Sequence, residues 1–217
     1  MNVLNAKGAD QNAIDTILVA GATGQVGGAI TKTLLGMGRH VRILARPNSS
    51  YQQLVEAGAE LALGDLKDKA SLYSACRGVA TVITTANSMQ RGGPDNPQTV
   101  DLEGNFNLID AAKAGGVKHF IFVSMNIADP KSPVPFAQAK GRAEEHLRSS
   151  NIPYTIVAPN AFMEVWLGMA VCKPAVEGKP VTLVGSGKRK HSFISAVDVT
   201  KFVVSSVDNP RAINRRL

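Results

Sequence analysis

Gly21, Gly24 and Gly27 fall three residues apart, directly after the apolar run Thr16-Ile17-Leu18-Val19-Ala20. The stretch Gly21-Ala22-Thr23-Gly24-Gln25-Val26-Gly27 ends a strand pattern and opens a helical one. Glycines at this spacing have separate uses: Gly21 permits a tight turn, Gly24 a close backbone approach to a pyrophosphate, and Gly27 close packing of helix on sheet. The unpaired N–H groups at such a helix start attract negative charge. Glycine spacing alone is weak evidence, but here the strand–turn–helix setting is met, and it falls in the first βα unit. The stretch therefore reads as a dinucleotide-binding turn.

The second strand bears on which dinucleotide. A carboxylate about 20 residues on holds the ribose 2′-hydroxyl in chains that take NAD. No Asp or Glu occurs between Asp15 and Glu56. The strand ends instead in Arg46-Pro47-Asn48-Ser49-Ser50. Arg46 offers a planar fork of donors suited to a 2′-phosphate, which Ser49 and Ser50 could supplement, so the expected cofactor is NADP.

Strand and helix patterns alternate along the rest of the chain. Short, β-branched, nearly continuous apolar runs at 17–20, 41–45, 61–63, 79–84, 120–123 and 154–158 read as strands buried on both faces. Amphipathic stretches at 27–37, 50–57, 67–76, 98–114 and 136–149 separate them. Gly38, Gly58, Gly78 and the pair Gly115-Gly116 stand where left-handed helix ends are expected. The class expected is α/β, a doubly wound parallel sheet with helices on both faces.

Composition sets limits. The 217 residues are 44% hydrophobic and 19% charged, an ordinary globular balance. No apolar run nears the ~20 residues needed to span a bilayer. Residues 1–14 read as a flexible polar extension and 15–217 as the nucleotide-binding domain with a substrate-facing C-terminal part. Cys76 and Cys172 have neither disulfide nor metal-ligand spacing, and their apolar neighbours suggest buried free thiols. No metal is expected, and a reducing cytoplasmic setting fits. Net charge is +7, with Lys188, Arg189, Lys190 and His191 the densest cluster. No aromatic residue interleaves with that cluster, so it reads as a solvated loop rather than a nucleic-acid site.

The turn GATGQVGG, the strand end RILAR, GDLKD at 64–68 and GNFNLIDAAKAGGVKHFIFVS at 104–124 resemble the atypical short-chain dehydrogenase/reductases. Within them they resemble the NmrA-like group, with its quinone reductases, isoflavone-reductase-like enzymes and redox-sensing regulators. The resemblance runs from Thr16 to about Val207 and implies a Rossmann-type sheet. It places Asp65 and Leu66 beside the adenine, and Thr84, Thr85 and Ala86 along the ribose and nicotinamide. Asn160 and Phe162, with Glu164 and Trp166 beyond them, would face substrate, although Phe162 and Trp166 suit a core position equally well. Relatives usually continue into a C-terminal lobe over the substrate, so a short or incomplete lobe is expected here.

The resemblance is uneven at the chemistry. Classical members use Tyr-x-x-x-Lys with a serine; here the stretch is Phe136-Ala137-Gln138-Ala139-Lys140, with Ser124 at the serine's place. Lys140 keeps its place, but Phe136 cannot move a proton. Phe136, Lys140, Ala143 and Leu147 share one helical face, so Lys140 needs either an acceptor or a path for its head to reach water. A ribose hydroxyl is the favoured partner, and a general-base role stays open. His191 is given no role, and Asp198 reads as the cap of the last helix. Two functions follow: an NADPH-dependent reductase of a small electrophile such as a quinone or enone, or a non-catalytic NADP(H) sensor acting on a regulatory protein partner.

Overall fold

The computed structural model describes residues 15–89, 91–181, 186, 188 and 190–217. The extension expected over 1–14 lies outside them, as does Arg189 of the basic cluster. In chain order come β1 (Thr16–Ala20), α1 (Gln25–Gly36), β2 (Val41–Ala45), α2 (Gln52–Glu56), β3 (Glu60–Leu63), α3 (Lys69–Ala75) and β4 (Val79–Thr84). A π-helical stretch, Pro97–Gly104, then leads into α4 (Asn105–Ala114), β5 (His119–Val123), α5 (Pro135–Ser149) and β6 (Tyr154–Val157). After β7 (Ala161–Phe162) a second π-helical stretch, Glu164–Cys172, runs into α6 (Lys173–Val176). β8 (Phe193–Ile194), α7 (Ala196–Ser206) and β9 (Arg215–Arg216) complete the order.

Seven strands form one parallel sheet in the order β3-β2-β1-β4-β5-β6-β9. The chain works outward through β1, β2 and β3, then returns to place β4 on the other side of β1. That reversal makes a switch point between β1 and β4, where the carboxyl ends of the strands leave a crevice.

Alternation along the strands fills both faces. Ile17 and Val19 of β1 point to one side with Ile30 and Leu34 of α1 and Val199 and Val203 of α7. Leu18, Phe120 and Phe122 point to the other, against Leu72 of α3, Leu108 of α4 and Leu147 of α5. All of these are essentially inaccessible to water. At about 1.5–3 kcal/mol for each large side chain buried, this two-sided core supplies the main driving force for the fold.

Four structural details depart from the sequence reading. The helix expected over 98–114 is divided: its first part is π-helical, and the α-helix begins only at Asn105. Asn105 is buried, and its Nδ2 donates to the carbonyls of Val100 and Asp101 at 3.2 and 3.0 Å, satisfying the wider turn. Cys172 is exposed, because nothing in the stretch Glu164–Cys172 is buried; Cys76 is buried as expected. Trp166 projects outward at 52% exposure instead of joining a core. Finally, α7 is capped by Ser195, whose hydroxyl accepts from the Asp198 N–H at 3.0 Å, while Asp198 lies within the first turn.

The left-handed helix ends are where glycine allows them. Gly38, Gly58, Gly78 and Gly116 all have positive φ, the last leaving Gly115 helical. No helix among the described residues is long and apolar enough to cross a membrane.

Candidate functional site

The glycine turn is built by mutual exclusion of side chains. Gly21 has φ +84°, and a Cβ there would lie 2.6 Å from Thr85 Oγ1 and 2.8 Å from the Ala86 nitrogen. A Cβ on Gly27 would fall onto the Gly21 carbonyl and sit 2.7 Å from Thr85 Oγ1. Thr85 therefore packs into the notch both glycines leave, and its N–H donates to the Ala20 carbonyl at 2.9 Å. Gly24 differs, since a Cβ there would meet only the Gly21 carbonyl, at 3.3 Å. Its outer side is open.

Gly24 is also the residue before α1. It is extended, no side chain caps the helix, and no acidic residue stands in the first turn. The opening N–H groups of an uncapped helix have no partner within the helix, so Gln25, Val26 and Gly27 leave donors aimed out of the turn.

A cleft opens over the carboxyl ends of β1 to β4. Gly21 and Thr23 form its floor, with Arg46 and Ser49 after β2, Asp65 and Leu66 after β3, and Ala86 after β4 along its walls. Residues from four strand ends thus meet at the switch point. Asp65 is shaped by its own loop: its Oδ1 accepts from the Lys67 N–H at 2.9 Å, and its N–H donates to Ser71 Oγ at 3.2 Å. Thr84 is fully buried behind Ala86, and its hydroxyl donates to Asn105 Oδ1 at 3.3 Å. It supports the cleft wall without facing the cleft.

Three residues that the sequence reading passed over complete this corner. Asp95, from the loop after β4, accepts from Arg46 Nη1 at 2.7 Å and from Arg91 Nη1 at 3.2 Å on Oδ2, and from Lys67 Nζ on Oδ1. Lys67 chiefly, with Arg91 and Arg46 and against the effect of burial, holds the Asp95 carboxyl at about 2. Arg46 is therefore at the cleft, as expected, but it carries an internal carboxylate partner.

Lys140 and Ser124 lie behind the cleft in a buried polar layer. Lys140 is 2% exposed, which removes the reading in which its head reaches water. Its Nζ is 3.3 Å from Asp101 Oδ1, donates to the Ala86 carbonyl at 3.2 Å, and lies 4.9 Å from the centre of the Phe122 ring. Burial pulls the ammonium below its ordinary range, while Asp101 and then Glu144 hold it up. Ser124 Oγ donates to Glu144 Oε1 at 2.6 Å. Glu144 also takes Arg148 at 2.8 Å and Arg216 of β9 at 3.1 Å. Asp101 and Arg216 carry no sequence signal of their own, because the side chains they pair with, Lys140 and Glu144, are remote along the chain; Glu144 shows only its local i,i+4 pair with Arg148.

Asn160 and Phe162 leave the sheet beyond β6, away from the cleft floor. Asn160 Oδ1 accepts from Asn126 Nδ2, and Phe162 packs against the second core layer. No group of three His, Cys, Asp or Glu able to hold a metal occurs among the described residues.

Comparison with known proteins agrees with this architecture. The chain is 32% identical over 200 residues to the photosystem II assembly factor Ycf39 of Trieres chinensis, covering 92% of this chain and 62% of that protein. It spans 61–63% of the length of three such Ycf39 proteins. It is 30% identical over 218 residues to the phenylcoumaran benzylic ether reductase IRL1 of Ginkgo biloba, covering 93% of this chain and 67% of that one. Among solved structures, the NADPH-dependent quinone oxidoreductase QOR2 of Escherichia coli, complexed with NADPH, superposes with a TM-score of 0.75 at 25% identity, over 93% of this chain and 68% of that one. Residues 13–217 match the NmrA-like family, and the chain belongs to it.

Proposed function

We propose that this protein is an NADPH-dependent reductase of a small electrophile such as a quinone or enone, and that the cleft at the β1/β4 switch point holds the cofactor. The observation that carries the reading is the uncapped start of α1 behind an open Gly24, with Arg46 and Arg91 lining the same cleft and Lys67 joined to them through Asp95. Such a cleft fits a ligand with a pyrophosphate at one end and a further phosphate at the other.

In this reading the backbone N–H groups of Gln25, Val26 and Gly27 hold the pyrophosphate and Arg46 the 2′-phosphate; the Gly24 N–H is spent on the Gly21 carbonyl at 3.0 Å. Asp65 and Leu66 border the adenine, and Thr85 and Ala86 border the ribose and nicotinamide. Asn160 and Phe162 belong to the substrate side. Bound NADPH supplies the hydride; the protein positions it and excludes water. Lys140 and Ser124 are both committed to buried carboxylates. A quinone-like acceptor, whose reduced form takes its proton from water, suits a site with neither group facing the cleft.

The same commitment of Lys140 and Ser124 favours one second reading, an NADP(H)-binding module that regulates or assembles a partner protein and turns nothing over. Relatives named as assembly factors accord with it. NADPH oxidation against a panel of quinones and enones, run beside a binding titration, separates the two. Turnover supports the reductase, tight binding without turnover supports the module, and absence of binding ends both.

A further inference from the structure

Three cations from three separate loops share one carboxylate in the cleft. Arg46 follows β2, Lys67 follows β3 and Arg91 follows β4, and all three reach Asp95. The side chains of Arg46, Lys67 and Arg91 are 41%, 35% and 34% exposed, while that of Asp95 is 10% exposed. Arg46 and Arg91 thus line the cleft, Lys67 is joined to them through the shared carboxylate, and that carboxylate is tucked between the three.

The charges do not balance. Asp95 supplies one negative charge against three positive ones, and Asp65, 3.7 Å from Lys67 Nζ, supplies one more. A carboxylate also offers too few oxygens to use these donors fully: each guanidinium brings five N–H groups, and Arg46 and Arg91 each spend only Nη1 on Asp95. A phosphate monoester carries roughly −1.5 to −2 and three acceptor oxygens, so it matches the surplus better than the carboxylate does. A purely structural staple explains the arrangement less well. One ion pair would tether the loop, and further part-exposed pairs add little stability.

We propose that Asp95 is an internal counter-ion standing in the 2′-phosphate position of the cleft, and that Lys67 and Arg91 join Arg46 as the cations that take the phosphate when Asp95 gives way. The proposal rests on the reading of the cleft as an NADP(H) site and adds to it the full cation set and the group that opposes binding. The loop carrying Asp95 has a means to yield. Gly92 and Gly93 have φ of +147° and +57°, and a Cβ on either would meet nothing within 4 Å, so their glycines serve conformation and not packing. Asp95 is tied back to that turn by its own N–H, which donates to the Gly92 carbonyl at 3.2 Å.

Asp95 then acts as a built-in competitor. It keeps the three cations gathered without ligand and weakens every 2′-phosphorylated ligand by the same interaction. It has no effect on ligands that lack the 2′-phosphate.

The test is calorimetric titration of the protein with NADPH, NADH, adenosine 2′,5′-bisphosphate and AMP, in the unmodified chain and in Asp95→Asn, Arg91→Ala and Lys67→Ala. Hydrogen bonds to charged groups set the scale at about tenfold per change. Asp95→Asn is expected to tighten NADPH and the bisphosphate by about that factor, and Arg91→Ala and Lys67→Ala to weaken them similarly. NADH and AMP stay unchanged throughout. Arg91 lies in an exposed loop, so its variant keeps the comparison valid should Asp95→Asn fold poorly. If Arg91→Ala and Lys67→Ala leave the NADPH-to-NADH ratio unchanged, or Asp95→Asn weakens the bisphosphate, the counter-ion account is overturned while the cofactor reading survives. If the unmodified chain binds no adenine dinucleotide, both fall together.

Discussion

Lys140 and Asp101 form an ion pair closed off from water, with Nζ 3.3 Å from Oδ1 and side chains 3% and 0% exposed. Asp101 Oδ2 further accepts from the Ser88 N–H at 3.0 Å and the Ser88 hydroxyl at 2.6 Å, while Lys140 also donates to Ala86. The pair thus clamps the chain after β4 between α5 and the first π-helical stretch. A wall of the cleft depends on it.

Lys140→Met is accordingly expected to act on stability first. It leaves Asp101 charged and buried without its cation, a situation that costs about 3–5 kcal/mol. Urea unfolding should show that loss, and Lys140→Met combined with Asp101→Asn should recover part of it. A Met variant as stable as the parent would mean that the pair contributes nothing to the wall.

The glycines of the turn should separate by role. Gly27→Ala places a Cβ on the Gly21 carbonyl, so it should lower the melting temperature and abolish NADPH binding together. Gly24→Ala meets only one atom at 3.3 Å, so thermal unfolding should barely change while NADPH affinity falls. Loss of fold in both, or of affinity in neither, would place the ligand elsewhere.

Ser124→Ala removes one donor from the buried Glu144, which keeps Arg148 and Arg216. The expected cost is about 1–3 kcal/mol of stability, with NADPH affinity and any turnover at saturation unaltered. A drop in turnover of roughly 10²-fold or more at unchanged stability would instead make the serine a catalytic residue.

Acid sensitivity should trace to Asp95. Its carboxyl is lowered from 3.8 to about 2 in the folded protein, principally by Lys67. A depressed carboxylate stabilises fully above its ordinary value, and that gain is lost as pH falls toward the folded value. Exposure of the three cations limits the gain to on the order of 1 kcal/mol. Stability measured from pH 5 to pH 2 should therefore fall less steeply in Asp95→Asn; identical acid limbs would count against the cluster.

The sheet was legible because its signals are local. The strands at 41–45 and 79–84 were bounded correctly by apolar runs that end in Arg46 and begin after Gly78, and the glycine turn lay in its expected place. The clefts and layers built by remote pairs were not legible. Arg46 and Asp95 are 49 residues apart and Glu144 and Arg216 are 72 apart, separations that leave no periodicity to read. Lys140 stands out by its apolar helical face, but its internal partner Asp101 is 39 residues away and nothing in the local pattern pairs the two. The C-terminal stretch Glu164–Cys172 misled for a different reason: its apolar composition suggests burial, yet none of its residues is buried.

The central claim is that this cleft selects a 2′-phosphorylated nicotinamide cofactor, and paired titrations of NADPH and NADH into the unmodified protein and Arg46→Ala test it most directly. The account predicts NADPH tighter than NADH by about tenfold or more in the parent, and a loss of about 1.5–3 kcal/mol of that preference in Arg46→Ala, the scale of a hydrogen bond to a charged group. Equal affinity of the parent for the two cofactors would contradict it.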